Sequence, residues 1–165
     1  MTMASQPLIV STGMGEMTVV AAETNGGKST FALNIVNHVL TQGHGVALFT
    51  IEMDRHEIID LLVAMNCEVN RNSFNTGRFT ENERKRMTVH FPRLTRLPLF
   101  IDDRAAPTAA NIAERMRALA GQIKLAVVDY AQIVAPFDLR ENREQQVAGI
   151  ARCLRQAAME CKLPL

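Results

Sequence analysis

Short apolar runs alternate along this chain with longer segments whose apolar residues recur at helical spacing. The apolar runs predict strands at residues 17–22, 46–51, 97–101 and 125–128. The periodic segments predict helices at residues 28–40, 54–65, 80–91, 108–120 and 142–161. This alternation predicts βαβ units, and therefore an α/β fold with a mainly parallel sheet and helices on both faces.

Local signals support several of these helices. Asp54 with Glu57, and Thr80 with Glu83, have the spacing of a capping box at a helix start. Thr108 is the predicted cap of a later helix. The buried face of the first helix is predicted to consist of Phe31, Ile35 and Val39.

The last residues, 162–165, change from polar to apolar and predict the beginning of a further strand. A chain of 165 residues is long enough for one domain. We therefore expect residues 1–165 to be a single domain that is truncated at its C-terminus, with the final strands of its sheet missing.

Composition narrows the class of protein. The chain is 47% hydrophobic and 21% charged with a formal net charge of +1, which is ordinary for a soluble protein. No apolar stretch approaches the roughly 20 residues that a membrane helix needs, and the N-terminus has no signal-peptide layout. Cys67, Cys153 and Cys161 lack C-x-x-C spacing, which favours reduced thiols in a cytoplasmic protein.

A glycine-containing turn lies between the first predicted strand and the first predicted helix. Residues 21–30 read AAETNGGKST, which matches the phosphate-binding P-loop except that Ala22 replaces its first glycine. Glycines let the backbone approach phosphate oxygens, and the helix start presents unpaired N–H groups to an anion. Lys28 adds a cation and the Ser29 hydroxyl suits Mg²⁺. The predicted nucleotide-binding residues are Ala22, Glu23, Thr24, Asn25, Gly26, Gly27, Lys28, Ser29 and Thr30, with ATP and Mg²⁺ as ligands.

Four carboxylates follow predicted strands, at the sheet edge where such folds bind ligands. Asp129 ends an apolar strand downstream of the P-loop, where it either helps to hold Mg²⁺ or is a solvated turn residue, and the first interpretation is favoured. Glu52 is either the base that deprotonates the attacking water or an exposed strand-end charge. Asp102 and Asp103 either contact the ligands of a metal without binding it themselves or are solvated loop residues, and the second interpretation is favoured.

Arg140 and Arg143 follow the Asp129 strand on the same edge. They either contact a nucleic-acid backbone or simply lead into the last helix.

Taken together, these segments resemble the RecA-like ATPase domain of the DnaB-type replicative helicases. The resemblance extends from about residue 13 to residue 165. It is carried by residues 21–35, 49–53, 75–80, 98–103, 127–132 and 141–147.

The resemblance implies roles for matched residues. Lys28 and Ser29 would bind phosphate and Mg²⁺, Asp129 would hold the metal through its water shell, and Glu52 would polarise the attacking water. Gln132 would help to couple nucleotide state to nearby loops. The implied partners are single-stranded DNA, identical subunits in a hexameric ring, a helicase loader and primase, in the cytoplasm and at the nucleoid of a bacterial or phage-infected cell.

The chain also departs from that family. Glu23 and Thr24 stand where the family usually has Arg-Pro, which places a negative charge near an anion site. The family's arginine finger, worth about 10³–10⁵ in rate in related systems, has no counterpart here, so we expect the isolated chain to hydrolyse ATP poorly.

Two other functions remain open on the sequence. One is a RecA-type or clock-type ATPase that does not unwind DNA. The other is a truncated paralogue that binds nucleotide without turnover. Residues 75–80 and 141–147 favour the helicase.

Overall fold

A three-stranded parallel sheet lies at the centre of the computed structural model, which describes residues 13–23, 26–105, 107–129 and 142–165. The strands are β1 (Val46–Thr50), β2 (Leu99–Asp102) and β3 (Leu125–Asp129), in the order β2-β1-β3. The helices are α1 (Lys28–Thr41), α2 (Arg55–Cys67), α3 (Arg71–Thr76), α4 (Glu81–Leu94), α5 (Ala109–Leu119) and α6 (Arg143–Cys161). The predicted parallel α/β architecture is confirmed.

Helices cover both faces of the sheet, as predicted. Val46 and Leu48 of β1 pack in one apolar cluster with residues of α1 and α2. Ala47 and Phe49 alternate with them and pack against α5 and α6. All five residues of β1 are buried, because neither side of this central strand faces water.

The strand predicted at residues 17–22 is wrong as a sheet strand. Only its start pairs: the Thr18 amide donates to the Leu165 carbonyl at 2.7 Å, and the Leu165 amide donates to Glu16 at 2.9 Å. Val19 is 74% exposed and belongs to no strand. Strand structure needs a paired neighbour, and pairing here reaches no further than Leu165.

The strand-like character predicted for residues 162–165 is visible in the backbone hydrogen bonds. The Ala126 amide of β3 donates to Pro164 at 3.0 Å, on the opposite side of this segment from Thr18. Pro164 and Leu165 therefore lie between β3 and the segment that leads to the glycine turn.

The predicted helix starts are mostly confirmed. The Asp54 carboxylate accepts from the Glu57 amide, and Thr80 with Glu83 forms a complete capping box. The reciprocal half of the first box is wrong, because the Glu57 carboxylate pairs with Arg71 instead. Arg71 begins α3, a six-residue helix that the sequence did not predict.

The buried face of α1 differs from the predicted one. Its buried residues are Leu33, Val36 and Leu40, whereas Ile35 and Val39 are only partly buried against the same cluster. The cysteines Cys67, Cys153 and Cys161 are free thiols, as expected. Among the described residues, no helix combines the length and apolarity needed to cross a membrane.

Candidate nucleotide-binding site

The glycine turn ahead of α1 is tightly folded. The Gly26 amide donates to the Glu23 carbonyl at 2.9 Å, and a Cβ on Gly26 would lie 2.9 Å from that oxygen. Gly27 is the N-cap of α1, with a left-handed φ of 80°. Glycine adopts this conformation without a steric penalty, so the sequence and the turn geometry agree at both positions.

The N-terminus of α1 has the character of an anion site. Its first turn contains no acidic residue, and Gly27 supplies no side chain to cap the free amides. The Lys28 ammonium donates to the carbonyls of Ala22 at 2.8 Å and Glu23 at 2.9 Å. A cation and a helix dipole therefore point to the same place, where phosphate oxygens would be stabilised. Thr30 is exposed in this first turn and belongs to the same surface.

Ser29 and Asp129 lie together at the carboxyl edge of the sheet. Both line one narrow cleft, with Thr50 and Met53 among its other walls. Thr50 is paired with Asp129 in the register of β1 and β3, which brings the end of each strand to the same level.

A hydroxyl and a carboxylate are hard oxygen ligands, which fit Mg²⁺. No group of three His, Cys, Asp or Glu side chains placed to bind a metal occurs within the described ranges. Mg²⁺ characteristically binds one or two protein oxygens together with substrate phosphates, so Ser29 and Asp129 fit a metal that arrives with a nucleotide.

Glu52 follows β1 and is exposed. The turn that carries it is held by buried Thr50, whose hydroxyl accepts from the Met53 amide at 3.2 Å and donates to the Met53 carbonyl at 3.1 Å. The Ile51 amide also donates to the Asp129 carbonyl at 3.1 Å. Glu52 thus shares the edge of the sheet with Ser29 and Asp129 without lining their cleft.

Asp102 and Asp103 each pair with an arginine, and a supporting role for them at a metal site stays a prediction. Asp102 accepts two hydrogen bonds from Arg104, and Arg104 lowers the pKa of that carboxyl. Asp103 pairs with Arg55, whose hydrogen bonds lower the pKa of Asp103 to about 2. Both carboxylates are therefore engaged by arginines, and neither is among the residues that line the Ser29–Asp129 cleft.

Four predicted site residues lie outside the described residues: Thr24, Asn25, Gln132 and Arg140. Arg143 is described as the first residue of α6, one position after the cap Asn142. It therefore does begin the last helix, and its contact with nucleic acid stays a prediction.

A wider groove of about 490 Å³ follows β2, but it is not where the predicted chemistry lies. Its lining includes Arg55, Asp103 and Phe100 and excludes Lys28, Ser29 and Asp129. Glycine-turn geometry, rather than cavity size, marks the candidate nucleotide site.

Two features of the site are not predicted by the sequence. Thr50 reads as one more residue of an apolar strand, although its hydroxyl shapes the Glu52 turn. Arg55 contacts Asp103, which is 48 residues away in the sequence, and no local sequence pattern predicts such a pair. The one local signal for the Arg55–Asp103 pair was the position of Arg55 directly after the helix cap Asp54.

Comparisons with known proteins agree on one family. The family model described as DnaB-like helicase C terminal domain matches residues 9–165. The chain is 29% identical over 154 residues to the replicative DNA helicase DnaB of Geobacillus stearothermophilus, covering 91% of this chain and 34% of that protein. It is 30% identical to the DnaB of Buchnera aphidicola from Schizaphis graminum, covering 33% of it. The chain therefore spans about a third of the length of these curated relatives.

Solved structures show the same fold. A DnaB-like replicative helicase, described with its interactions with primase, superposes with a TM-score of 0.78 at 22% identity, over 84% of this chain and 34% of that one. A second solved structure, described as an ATPase domain, has the same TM-score and identity, over 51% of its own chain. The fold is therefore that of RecA-like helicase ATPase domains.

Proposed function

The chain belongs to the family of DnaB-like helicase C-terminal domains, and from that premise we propose that it is the ATP-binding core of a replicative DNA helicase. In this role it couples ATP hydrolysis to translocation on single-stranded DNA and to unwinding of the duplex. The observation that carries the proposal is the common location of Ser29 and Asp129 in one cleft, beside the Lys28 turn at the start of α1.

The binding chemistry follows from those residues. The free amides of the first turn of α1 donate to phosphate oxygens, and Lys28 exchanges its two carbonyl partners for the terminal phosphates. Ser29 and Asp129 would hold Mg²⁺, Asp129 through water. The metal, when bound, neutralises charge on the phosphate oxygens.

Glu52 supplies the base. Its carboxylate accepts a proton from a water molecule while the water oxygen attacks the γ-phosphorus and the bond to the ADP oxygen breaks. The exposed position of Glu52 on the carboxyl edge suits a group that meets a water next to a bound nucleotide.

The wider assembly is part of the proposal. Identical subunits would form a hexameric ring around single-stranded DNA in the bacterial cytoplasm, with a loader and primase as further partners. Gln132, Arg140 and Arg143 would couple the nucleotide to DNA. The arginine finger of a neighbouring subunit would complete the site, so the isolated chain hydrolyses ATP slowly.

Turnover and binding by two variants test this function in the full gene product that contains these residues. Glu52→Gln should abolish DNA-stimulated ATP hydrolysis while ATP still binds, and Lys28→Ala should weaken binding itself. Glu81→Gln is the matched control, because Glu81 is an exposed glutamate in the first turn of α4, and no residue of α4 lines the Ser29–Asp129 cleft. Unchanged turnover in Glu52→Gln would remove the assigned base. A forked-duplex assay then separates a helicase from an ATPase that does not unwind DNA.

A further inference from the structure

A bidentate ion pair between Arg55 and Asp103 joins the segment after β1 to the segment after β2. Arg55 Nε donates to Asp103 Oδ2 at 3.0 Å, and Arg55 Nη2 donates to Asp103 Oδ1 at 2.6 Å. The Arg55 amide approaches the same carboxylate, at 3.4 Å. Two parallel charge-assisted hydrogen bonds fix direction as well as distance, unlike a single-point contact.

The Arg55–Asp103 pair fixes the C-terminal end of the turn that contains Glu52. This turn spans residues 51–54, between the last residue of β1 and the first residue of α2. On one side the Ile51 amide bonds to Asp129 of β3. On the other side Arg55 bonds to Asp103, just beyond β2. The backbone of Glu52 is thus held between the two strands that flank β1.

We propose that Asp103, acting through Arg55, is a positioning residue that sets Glu52 at the distance from the bound nucleotide at which it activates water. This inference rests on the proposed function of Glu52. Because Glu52 is exposed, the orientation of its side chain depends on the backbone of the turn. A displacement of about 1 Å can reduce turnover by up to roughly 10²-fold, so a tether at the end of a four-residue turn affects catalysis without touching substrate.

The neighbouring carboxylate provides a matched control. Asp102 forms a bidentate pair with Arg104, at 2.8 and 2.6 Å, and its Oδ2 also lies 3.7 Å from Arg115 Nε. The side chains of Asp102 and Asp103 are similarly accessible, at 16% and 21%. Arg104 follows β2 and does not belong to the Glu52 turn, so Arg104→Gln removes a bidentate ion pair and leaves the Arg55–Asp103 pair in place.

Steady-state kinetics in the full gene product test the role. We expect Asp103→Asn and Arg55→Gln each to lower kcat by about tenfold or more with the ATP dissociation constant unchanged, and the double variant to be no worse than either single one. Asp102→Asn and Arg104→Gln should stay within about twofold of the parent. The reversed pair, Arg55→Asp with Asp103→Arg, should recover part of the lost kcat. A kcat for Asp103→Asn equal to that for Asp102→Asn would overturn the proposal, as would a loss confined to ATP affinity.

Hydrogen exchange reports on the tether independently of turnover. The amides of residues 52–54 should exchange faster in Asp103→Asn than in Asp102→Asn, while amides of β1 and β3 remain protected. Unchanged exchange overturns the inference, and so does faster exchange with normal kcat. Failure of the proposed function looks different, because Glu52→Gln itself would then retain turnover.

Discussion

Replacing Gly27 with alanine tests whether nucleotide binding depends on the left-handed backbone conformation of the glycine turn. Gly27 has a φ of 80°, a region that disfavours every residue with a Cβ. A Cβ at this position would meet no other atom of the described residues within 4 Å, so the substitution introduces no clash. The only penalty is the left-handed backbone, about 1–2 kcal/mol.

The consequence for binding follows from that penalty. Gly27 is exposed, so without phosphate the turn of the variant can relax to another backbone conformation. Nucleotide binding must then restore the left-handed conformation, which costs the same 1–2 kcal/mol and raises the ATP dissociation constant about 5- to 30-fold.

Gly43 provides the control, at the opposite end of the same helix. Its φ is 83°, and a Cβ there would also meet no other described atom within 4 Å. Gly43→Ala should lower the free energy of unfolding by up to about 1–2 kcal/mol and leave ATP binding unchanged. Titration calorimetry with Mg-ATP and urea denaturation measure the two quantities. Equal ATP affinities for Gly27→Ala and Gly43→Ala would refute the reasoning.

Three further predictions concern stability. Hydrogen bonds from Asn70 and Thr80 lower the pKa of Glu83 to about 2 from an ordinary value of 4.5. Glu83 therefore stabilises the fold above pH 4.5, and this contribution is lost as the pH falls towards 2. The urea midpoint of Glu83→Gln should consequently drop less between pH 7 and pH 3 than that of the parent protein. Thr50→Val leaves the Met53 amide without its hydroxyl partner and should cost about 1–3 kcal/mol, measured by urea denaturation against the exposed control Thr88→Val. Ile112→Ala, at a core position that is 1% exposed, should cost about 2–5 kcal/mol in the same assay, and a cost below 1 kcal/mol would contradict the assigned core.

Local chemistry explains what the sequence predicted well. Thr80 and Glu83 lie three residues apart, so the whole capping box forms within one helical turn. The apolar run of β1 predicts burial on two faces because each of its residues must contact a helix layer. The glycine turn was identified for the same reason, since Gly26 and Gly27 meet backbone requirements set within a few residues.

Contacts distant in sequence explain what was missed. Residues 17–22 have the apolar character of a strand, yet pairing at Thr18 depends on Leu165. The face of α1 shifted to Leu33, Val36 and Leu40 because β1 and α2 decide which side is covered. Asp103 looked like a solvated loop residue because its partner, Arg55, lies 48 positions earlier.

The most direct test of the central claim is a crystal structure with Mg²⁺ and a non-hydrolysable ATP analogue. Lys28 should leave the carbonyls of Ala22 and Glu23 and contact the terminal phosphates, and Mg²⁺ should lie in the cleft lined by Ser29 and Asp129, about 2.1 Å from the Ser29 hydroxyl. An analogue bound elsewhere, with Lys28 still bonded to those two carbonyls, would contradict the account.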